Sequence, residues 1–358
     1  MKKFKLSMML ILMSMLVFSA CGGGGGGSDD PGNPGDDPDN PGDPKDPTAT
    51  LEINGNTYTY TLPGGTVFKA MLTPDIATTN TFPTGADDSV PAYVPVRFIM
   101  GETQVTYELW YEVHKWATTD AGGKKRADGG VLYNFANAGA KGGYTSETPP
   151  ILTDQHPVTT VNWRDSIVWC NALTEYYNAN NGSETDLVCV YTYSGAIIRD
   201  SRDSNAISCD NAVQSTTAKG FRLPTSVEWE YIARYIGTSA PSHANYVFKD
   251  SVYYSKFNSA SGATGDYNDV PATSAVAVYG VSSTAVVKSK GTTGANALGL
   301  YDMSGNVYEW CFTADGSSRV LLGGSFNLSA YYMQVGIVVI GLPYYEFYYI
   351  GFRLCRDK

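Results

Sequence analysis

The pattern of hydrophobic and polar positions predicts three helices, because apolar side chains recur at helical spacing in three segments. These segments are residues 103–117, 162–177 and 225–237. The second helix is expected to begin at Asn162 as its N-cap, with Asp165 at the third helical position. In the third helix Thr225 is the expected N-cap, Glu228 completes a capping box, and Gly237 provides a stop.

The predicted strands are short. Residues 49–63 alternate apolar and polar side chains around an Asn-Gly-Asn turn, which predicts a hairpin. The sequence "GFRLPT", residues 220–225, predicts another short strand that Pro224 ends before the third helix. Stretches such as 255–296 are rich in Gly, Ser, Asn and Thr and carry few regular signals. The pattern indicates an α+β domain with few helices, short strands and much irregular chain.

Residues 327–349, called here the C-terminal segment, break the usual alternation. Between Asn327 and Ile350 the only charged residue is Glu346, and five of the six positions from Tyr344 to Tyr349 are aromatic. A strand buried on both faces is one interpretation. Adjacent tyrosine pairs favour another, because each buried hydroxyl needs a hydrogen-bond partner. We therefore expect part of the segment to face solvent, with the tyrosine-rich composition of binding surfaces.

The N-terminus, residues 1–20, is typical of a lipoprotein signal peptide. Three lysines precede the apolar run Leu6–Phe18, which is too short to span a bilayer. Ser19 and Ala20 precede Cys21, which predicts cleavage before Cys21 and acylation of that residue. The alternative is an ordinary secreted protein with an unmodified cysteine. Acyl chains would anchor the protein to the outer membrane without spanning it.

A stalk is predicted at residues 21–47, where six glycines are followed by repeating Pro and Asp. Without apolar side chains to bury, the segment cannot offset its ordering entropy. It is either a stalk that lifts the domain off the membrane or a tolerated spacer of the same shape. The expected organisation continues with an N-terminal β extension at 48–91 and the main domain at 92–358, exposed at the cell surface.

Charge and cysteine content narrow the functional classes. The chain has a net charge of −10 and no Lys/Arg cluster, which argues against nucleic-acid binding. Cys189 and Cys209 are the first disulfide candidates in an exported protein, and an odd count leaves at least one cysteine that is either free or paired with another molecule. The domain's cysteines are Cys170, Cys189, Cys209, Cys311 and Cys355.

Five motifs, in order, resemble the formylglycine-generating-enzyme (sulfatase-modifying factor) family. They are "VNWRDSIVWCNAL", "GFRLPTSVEWEYIAR", "NALGLYDMSGNVYEWC", "LLGGSF" and "IGFRL". The resemblance covers residue 92 to the end and implies a variant of the C-type lectin fold. Tyr308 and Trp310 are then expected to be core anchors. A shared fold does not by itself carry over the function.

The family's oxidases bind Cu(I) through two cysteines at the second and seventh positions after the last aromatic residue of "GGSF". Here these positions are Leu328 and Met333. One thioether cannot replace two soft thiolates, so we expect no copper and no catalysis. A copper oxidase of the formylglycine-generating type remains an alternative.

The resemblance also implies a structural calcium site. Its ligands would be Asp302, Gly305, Val307 and Glu309, which offer the hard oxygen donors that Ca²⁺ prefers. The alternative is a tight turn with solvated carboxylates. A calcium-dependent sugar-binding lectin is a further alternative, although the usual "EPN", "QPD" and "WND" triplets are absent.

Fold and C-terminal segment together resemble the variable proteins of diversity-generating retroelements, including treponemal lipoproteins. This resemblance implies a ligand-binding surface rewritten by adenine-directed mutagenesis, with a protein or another surface ligand as the partner. The codons used in such systems reach every residue of the segment except Met333, Gln334 and Glu346. The expected contact residues are Leu328, Ser329, Tyr331, Tyr332, Ile337, Val339, Ile340, Tyr344, Tyr345, Phe347, Tyr348 and Tyr349. The expected scaffold residues are Ala330, Val335, Gly336, Ile350, Gly351 and Phe352.

Overall fold

The computed structural model describes most of the chain after the predicted stalk. The described residues are 5–7, 48–75, 81–119, 130–143, 152–180 and 187–358. Apart from 5–7, the predicted signal peptide, the predicted acylation site Cys21 and the predicted stalk lie outside them. Within the described part, no helix is both long and apolar enough to cross a bilayer.

Helices and short strands alternate along the described residues. The helices are α1 (Tyr107–Thr118), α2 (Trp163–Ala179), α3 (Ala206–Asp210), α4 (Ser226–Arg234) and α5 (Val270–Val276), and 3₁₀ turns lie at Asp203–Asn205, Gly291–Gly294 and Ala330–Met333. The first strands are β1 (Lys5–Ser7), β2 (Thr50–Asn54), β3 (Thr57–Thr61), β4 (Val67–Leu72), β5 (Phe82–Thr84), β6 (Val90–Ala92), β7 (Phe98–Gly101), β8 (Ala140–Lys141), β9 (Val158–Thr159) and β10 (Tyr191–Tyr193). The others are β11 (Ala196–Ile197), β12 (Val213–Gln214), β13 (Tyr235–Gly237), β14 (Tyr246–Lys249), β15 (Val252–Ser255), β16 (Tyr308–Asp315), β17 (Ser318–Leu322), β18 (Val338–Gly341), β19 (Ile350–Phe352) and β20 (Cys355–Asp357). The predicted α+β class with few helices and short strands is confirmed.

All three predicted helices form. The capping box predicted for the third helix is present, and the predicted N-cap of the second helix also forms one. In α2 the Asn162 side chain accepts from the Asp165 backbone while the Asp165 side chain accepts in return. Thr225 and Glu228 do the same in α4. The stop predicted at Gly237 is wrong, because α4 ends at Arg234 and the next residues pair with β15 instead. Strand pairing therefore ends this helix before the glycine can.

The N-terminal hairpin and the C-terminus belong to one sheet, with strand order β2-β3-β4-β7-β20. The predicted hairpin is confirmed, with Asn54 opposite Thr57 across the turn. The strand predicted at 220–225 is reduced to an isolated bridge between Arg222 and Cys355. Pro224 has no N–H to continue the ladder. Because β20 pairs with β7, the chain end is fixed to the framework.

The C-terminal segment joins a second sheet, with order β1-β18-β17-β16-β19. β18, inside the segment, is antiparallel to β17, and β19, just after it, is parallel to β16. Tyr308 and Trp310 of β16 are buried in the core as predicted. The interpretation of the segment as one long strand buried on both faces is wrong, since only Val338–Gly341 is extended in the sheet.

The cysteines do not form the pair that the sequence suggested. All five are buried, and in the described residues none is in a disulfide. The Cys189 thiol donates to the Asn171 carbonyl oxygen at 3.5 Å, and the Cys209 thiol to that of Asp200 at 3.2 Å. Burial raises the pKa of Cys209 to about 12, which leaves its thiol unreactive at neutral pH.

Candidate functional site

The backbone of the C-terminal segment is held by hydrogen bonds to the rest of the domain. These bonds run from Gly280 N to Leu328 O (2.8 Å), Val335 N to Ser259 O (2.8 Å), Gly336 N to Phe257 O (3.0 Å), Thr160 N to Phe347 O (3.2 Å) and Tyr308 N to Tyr349 O (2.9 Å). None of them involves a side chain of the segment. The path of the backbone is therefore fixed by contacts that a change of side chain leaves in place.

Two glycines fix the chain on either side of the segment. A Cβ atom on Gly324 would lie 2.5 Å from the carbonyl oxygen of Tyr332, and the φ of Gly324 is +76°. A Cβ on Gly351 would lie 2.5 Å from the Val158 carbonyl oxygen. Both distances are far below normal contact, so only glycine lets the backbones approach this closely.

Side chains of the segment reach solvent as the adjacent tyrosines suggested. Tyr331, Tyr344 and Tyr348 are 42%, 48% and 45% exposed. The other predicted contact residues that are at least partly exposed are Leu328, Ser329, Tyr332, Ile337, Ile340, Tyr345, Phe347 and Tyr349. Val339 was wrongly predicted as a contact, because it is 4% exposed and belongs to the core.

The predicted scaffold residues are mostly buried. Val335, Gly336, Ile350, Gly351 and Phe352 are all buried, and Ala330 is partly exposed. Within the segment, all of which is described, no tyrosine hydroxyl is buried without a hydrogen-bond partner. The polar ends of the rings therefore reach water or protein partners, as a binding surface requires.

Five rings at the end of the segment form a continuous chain of contacts. Tyr344 meets Tyr345 edge-on with centroids 5.3 Å apart, and Tyr345 meets Phe347 at 5.6 Å. Phe347 stacks on Tyr349 at 5.2 Å, and Tyr349 meets Tyr348 at 5.1 Å. These five rings together with Tyr331 and Tyr332 are called the aromatic face. Mutual packing restricts the rings before any ligand arrives, which lowers the entropy lost on binding.

The second part of the aromatic face borders a cavity. Tyr331 meets Tyr332 edge-on at 5.4 Å and Tyr267, from outside the segment, at 5.6 Å. The cavity has a volume of about 400 Å³. It is lined by residues of the C-terminal segment, including Tyr331, Ile337 and Val338, and by residues from earlier in the chain, including Phe257 and Tyr267. Burial and, to a smaller extent, the hydroxyls of Tyr332 and Tyr349 raise the pKa of Tyr308.

Two of the three residues that adenine-directed mutagenesis cannot reach have structural roles. Met333 is fully buried, and its carbonyl oxygen accepts a hydrogen bond from Ser304 Oγ at 2.8 Å. Gln334 is 4% exposed and donates through Nε2 to the Tyr331 carbonyl oxygen at 2.7 Å. The third, Glu346, is exposed and so does not share the burial of Met333 and Gln334.

The predicted calcium ligands lie together, but three of their four carboxylate oxygens are already engaged. Glu309 is fully buried and accepts from Arg353 through both oxygens, at 2.8 and 3.1 Å. Trp229 Nε1 donates to the same carboxylate at 2.7 Å. Asp302 Oδ2 accepts from the Lys288 backbone N–H at 2.8 Å.

The backbone oxygens of the predicted calcium site are engaged as well. Those of Asp302, Gly305 and Val307 all lie within hydrogen-bonding distance of Nε2 of Gln104 and share its two N–H hydrogens. Among the described residues, no group of three His, Cys, Asp or Glu side chains could hold a metal ion. The residues present therefore do not fit a calcium ion.

The chain belongs to the family defined by the sulfatase-modifying factor enzyme 1-like domain, whose model matches residues 56–358. The match begins inside the segment 48–91 that was predicted as a separate β extension. In the structure that segment supplies β2, β3 and β4 to the sheet that also contains the C-terminal strand β20.

Solved structures extend the comparison. Treponema denticola variable protein 1 is 28% identical with a TM-score of 0.58, over 85% of this chain and all of that one. CarF is 24% identical with a TM-score of 0.51, over 79% of this chain and 95% of its own, and supports the fold alone. The predicted likeness to a retroelement variable protein with a formylglycine-generating-type fold is confirmed.

One curated relative also matches. The chaperone protein LppX of Paenibacillus barcinonensis is 30% identical over 196 residues. The match spans 48% of this chain and 60% of the length of that relative.

Proposed function

We propose that this protein is a non-catalytic ligand-binding lipoprotein, displayed on the outer membrane, whose C-terminal segment is diversified by a retroelement. The observation that carries the proposal is the aromatic face on a backbone held by main-chain and framework contacts and by the buried Gln334, not by the exposed rings. Side chains on such a backbone can be exchanged without changing its path. The likeness to Treponema denticola variable protein 1 supports the same conclusion.

The chemistry of the aromatic face suits a protein or another surface ligand. Large rings with few rotatable bonds bury much area at low entropic cost and keep a hydroxyl at the rim. A few anchor residues worth about 2 kcal/mol or more each dominate typical interfaces. The adjoining cavity of about 400 Å³ offers room for an apolar group of the ligand beside Tyr331.

The absence of catalysis is proposed from the two positions that hold cysteines in the family's oxidases. Leu328 has no donor atom, and the fully buried Met333 has only a thioether. The five cysteines of the described domain are all buried elsewhere in the fold. No pair of accessible thiolates therefore stands at these positions to hold Cu(I).

Sequencing the 3′ end of the gene in sibling cells tests diversification directly. We expect codon differences within residues 327–349, confined to adenines of a near-copy that lies beside a reverse transcriptase gene. Exposed positions such as Tyr344 should vary, while the codons of Met333 and Gln334 stay constant. Synonymous or evenly scattered differences would contradict the proposal.

Lipid anchoring is tested at Cys21. We expect the wild-type chain to take up an alkyne-labelled fatty acid and to fractionate with membranes, and a Cys21→Ser chain to lose both properties. Ser28→Ala, in the predicted stalk, is the matched control and should keep the label. Protease added to intact cells should release the domain if it is displayed outward. An unlabelled wild-type chain would instead support ordinary secretion.

A further inference from the structure

Three backbone carbonyl oxygens converge on a single side-chain atom inside the domain. Nε2 of Gln104 lies 3.1 Å from the oxygen of Asp302, 3.2 Å from that of Gly305 and 3.0 Å from that of Val307. These three oxygens are called the carbonyl cluster. Gln104 is 1% exposed and lies between β7 and the N-cap of α1, which brings its amide to the cluster.

The loop that builds the carbonyl cluster is tightly wrapped. Asp302, Gly305 and Asn306 have φ values of +55°, +83° and +62°, in the left-handed region. At Gly305 a Cβ atom would lie 2.3 Å from the Val278 carbonyl oxygen, so no other residue fits there. Convergent carbonyl dipoles repel one another, and a site of this shape is stable only with a hydrogen-bond donor or a cation at its centre.

The orientation of the Gln104 amide identifies the group at the centre as its NH₂. The Oε1 atom of Gln104 is buried and has no hydrogen-bond partner. Leaving a buried acceptor unpaired is unfavourable. The hydrogen bonds from Nε2 to the carbonyl cluster must therefore contribute more than this penalty for the amide to keep its orientation. A reversed amide would bring a fourth oxygen to the cluster, and that arrangement would require a cation.

The neighbouring Glu309 carboxylate supplies no ligand to such a cation. Arg353 occupies both oxygens of Glu309, and Arg353 and Glu309 are both fully buried. Calcium takes six to eight oxygens, several of them usually from carboxylates. Here Arg353 neutralises the buried Glu309, and the Gln104 amide donates to the carbonyl cluster. These two side chains together take the place that a calcium ion would fill.

We propose that the side-chain amide of Gln104 replaces the structural calcium that the family resemblance implied, so that the domain folds without the ion. The inference is independent of the ligand-binding function. It also separates this protein from lectins that hold sugars through calcium.

Thermal unfolding of the full domain with EDTA and with excess Ca²⁺ tests the proposal. We expect the Tm of the wild-type chain to be the same in both, and elemental analysis to find no stoichiometric calcium. In Gln104→Glu a carboxylate joins the three carbonyls. Its Tm should fall in EDTA and rise by roughly 5 °C with Ca²⁺ at about 100 times the Kd.

Gln104→Met is the matched control, since it keeps the length of the side chain but has no N–H. Its Tm should fall in both solutions, with no recovery on adding Ca²⁺. A wild-type Tm that rises with Ca²⁺, or calcium retained after purification, would overturn the proposal even if the variants fail to fold. A folded Gln104→Glu chain that ignores Ca²⁺ would show that the amide does not stand at a cation position.

Discussion

Replacing Arg353 by Met is expected to lower the free energy of unfolding by about 3–5 kcal/mol, because it leaves the buried Glu309 carboxylate without its cation. Both side chains are fully buried, and Arg353 also donates to the carbonyl oxygens of Gly101 and Tyr301, at 2.8 and 2.7 Å. One guanidinium thus joins β16, β7 and the chain just after β19. Urea denaturation of the full domain measures the loss.

Two further variants separate the buried charge from the lost packing. In Arg353→Met/Glu309→Gln the unpaired charge is gone, so part of the lost stability should return. Arg356→Met removes a partly exposed arginine three residues away, whose Nε donates to the Tyr60 hydroxyl at 2.9 Å. It should cost less than about 1 kcal/mol. Equal losses for Arg353→Met and Arg356→Met would contradict the assigned role of the buried pair.

Local sequence signals predicted the helices well. They did not predict where α4 ends or which residues of β18 face the core. The capping boxes at Asn162 and Thr225 depend on residues three positions apart, so the sequence alone reveals them. Gly237 failed as a stop because the end of α4 is set by pairing between Tyr235 and Tyr254, which are distant in sequence. Val339 failed for a similar reason. Only the register of β18 against β17 decides which residues of that strand face the core.

The exposed part of the site could be predicted from the sequence. The buried contacts of Gln104 and Arg353 in the framework could not. Adjacent tyrosines indicated a solvent-facing segment because burying every hydroxyl is difficult, and Tyr344 and Tyr348 are exposed as expected. The role of Gln104 was missed, since its three acceptors lie 198 to 203 residues further along the chain. The side chain of Arg353 likewise reaches back 252 residues to Gly101. A single sequence carries no signal for such contacts.

Serine at Tyr331, Tyr344 and Tyr348 together should abolish ligand binding while the domain stays folded. The three rings are about half exposed, so each change should alter stability by less than about 1 kcal/mol. Loss of even two anchor residues at about 2 kcal/mol each lowers affinity roughly 1000-fold. A photo-crosslinking residue at Tyr345 would capture the partner on intact cells, and titration of the purified partner would give Kd for each variant.

Tyr93 and Tyr111 provide the matched control, because they are 53% and 49% exposed but lie outside the C-terminal segment. Tyr93→Ser/Tyr111→Ser should keep both the fold and the partner. Val339→Ser provides the opposite case, since a hydroxyl placed among core residues should destabilise the domain without touching the aromatic face. If the triple serine variant unfolds as Val339→Ser does, its rings support the core rather than a ligand. If it stays folded and still binds, the contact surface lies elsewhere on the domain.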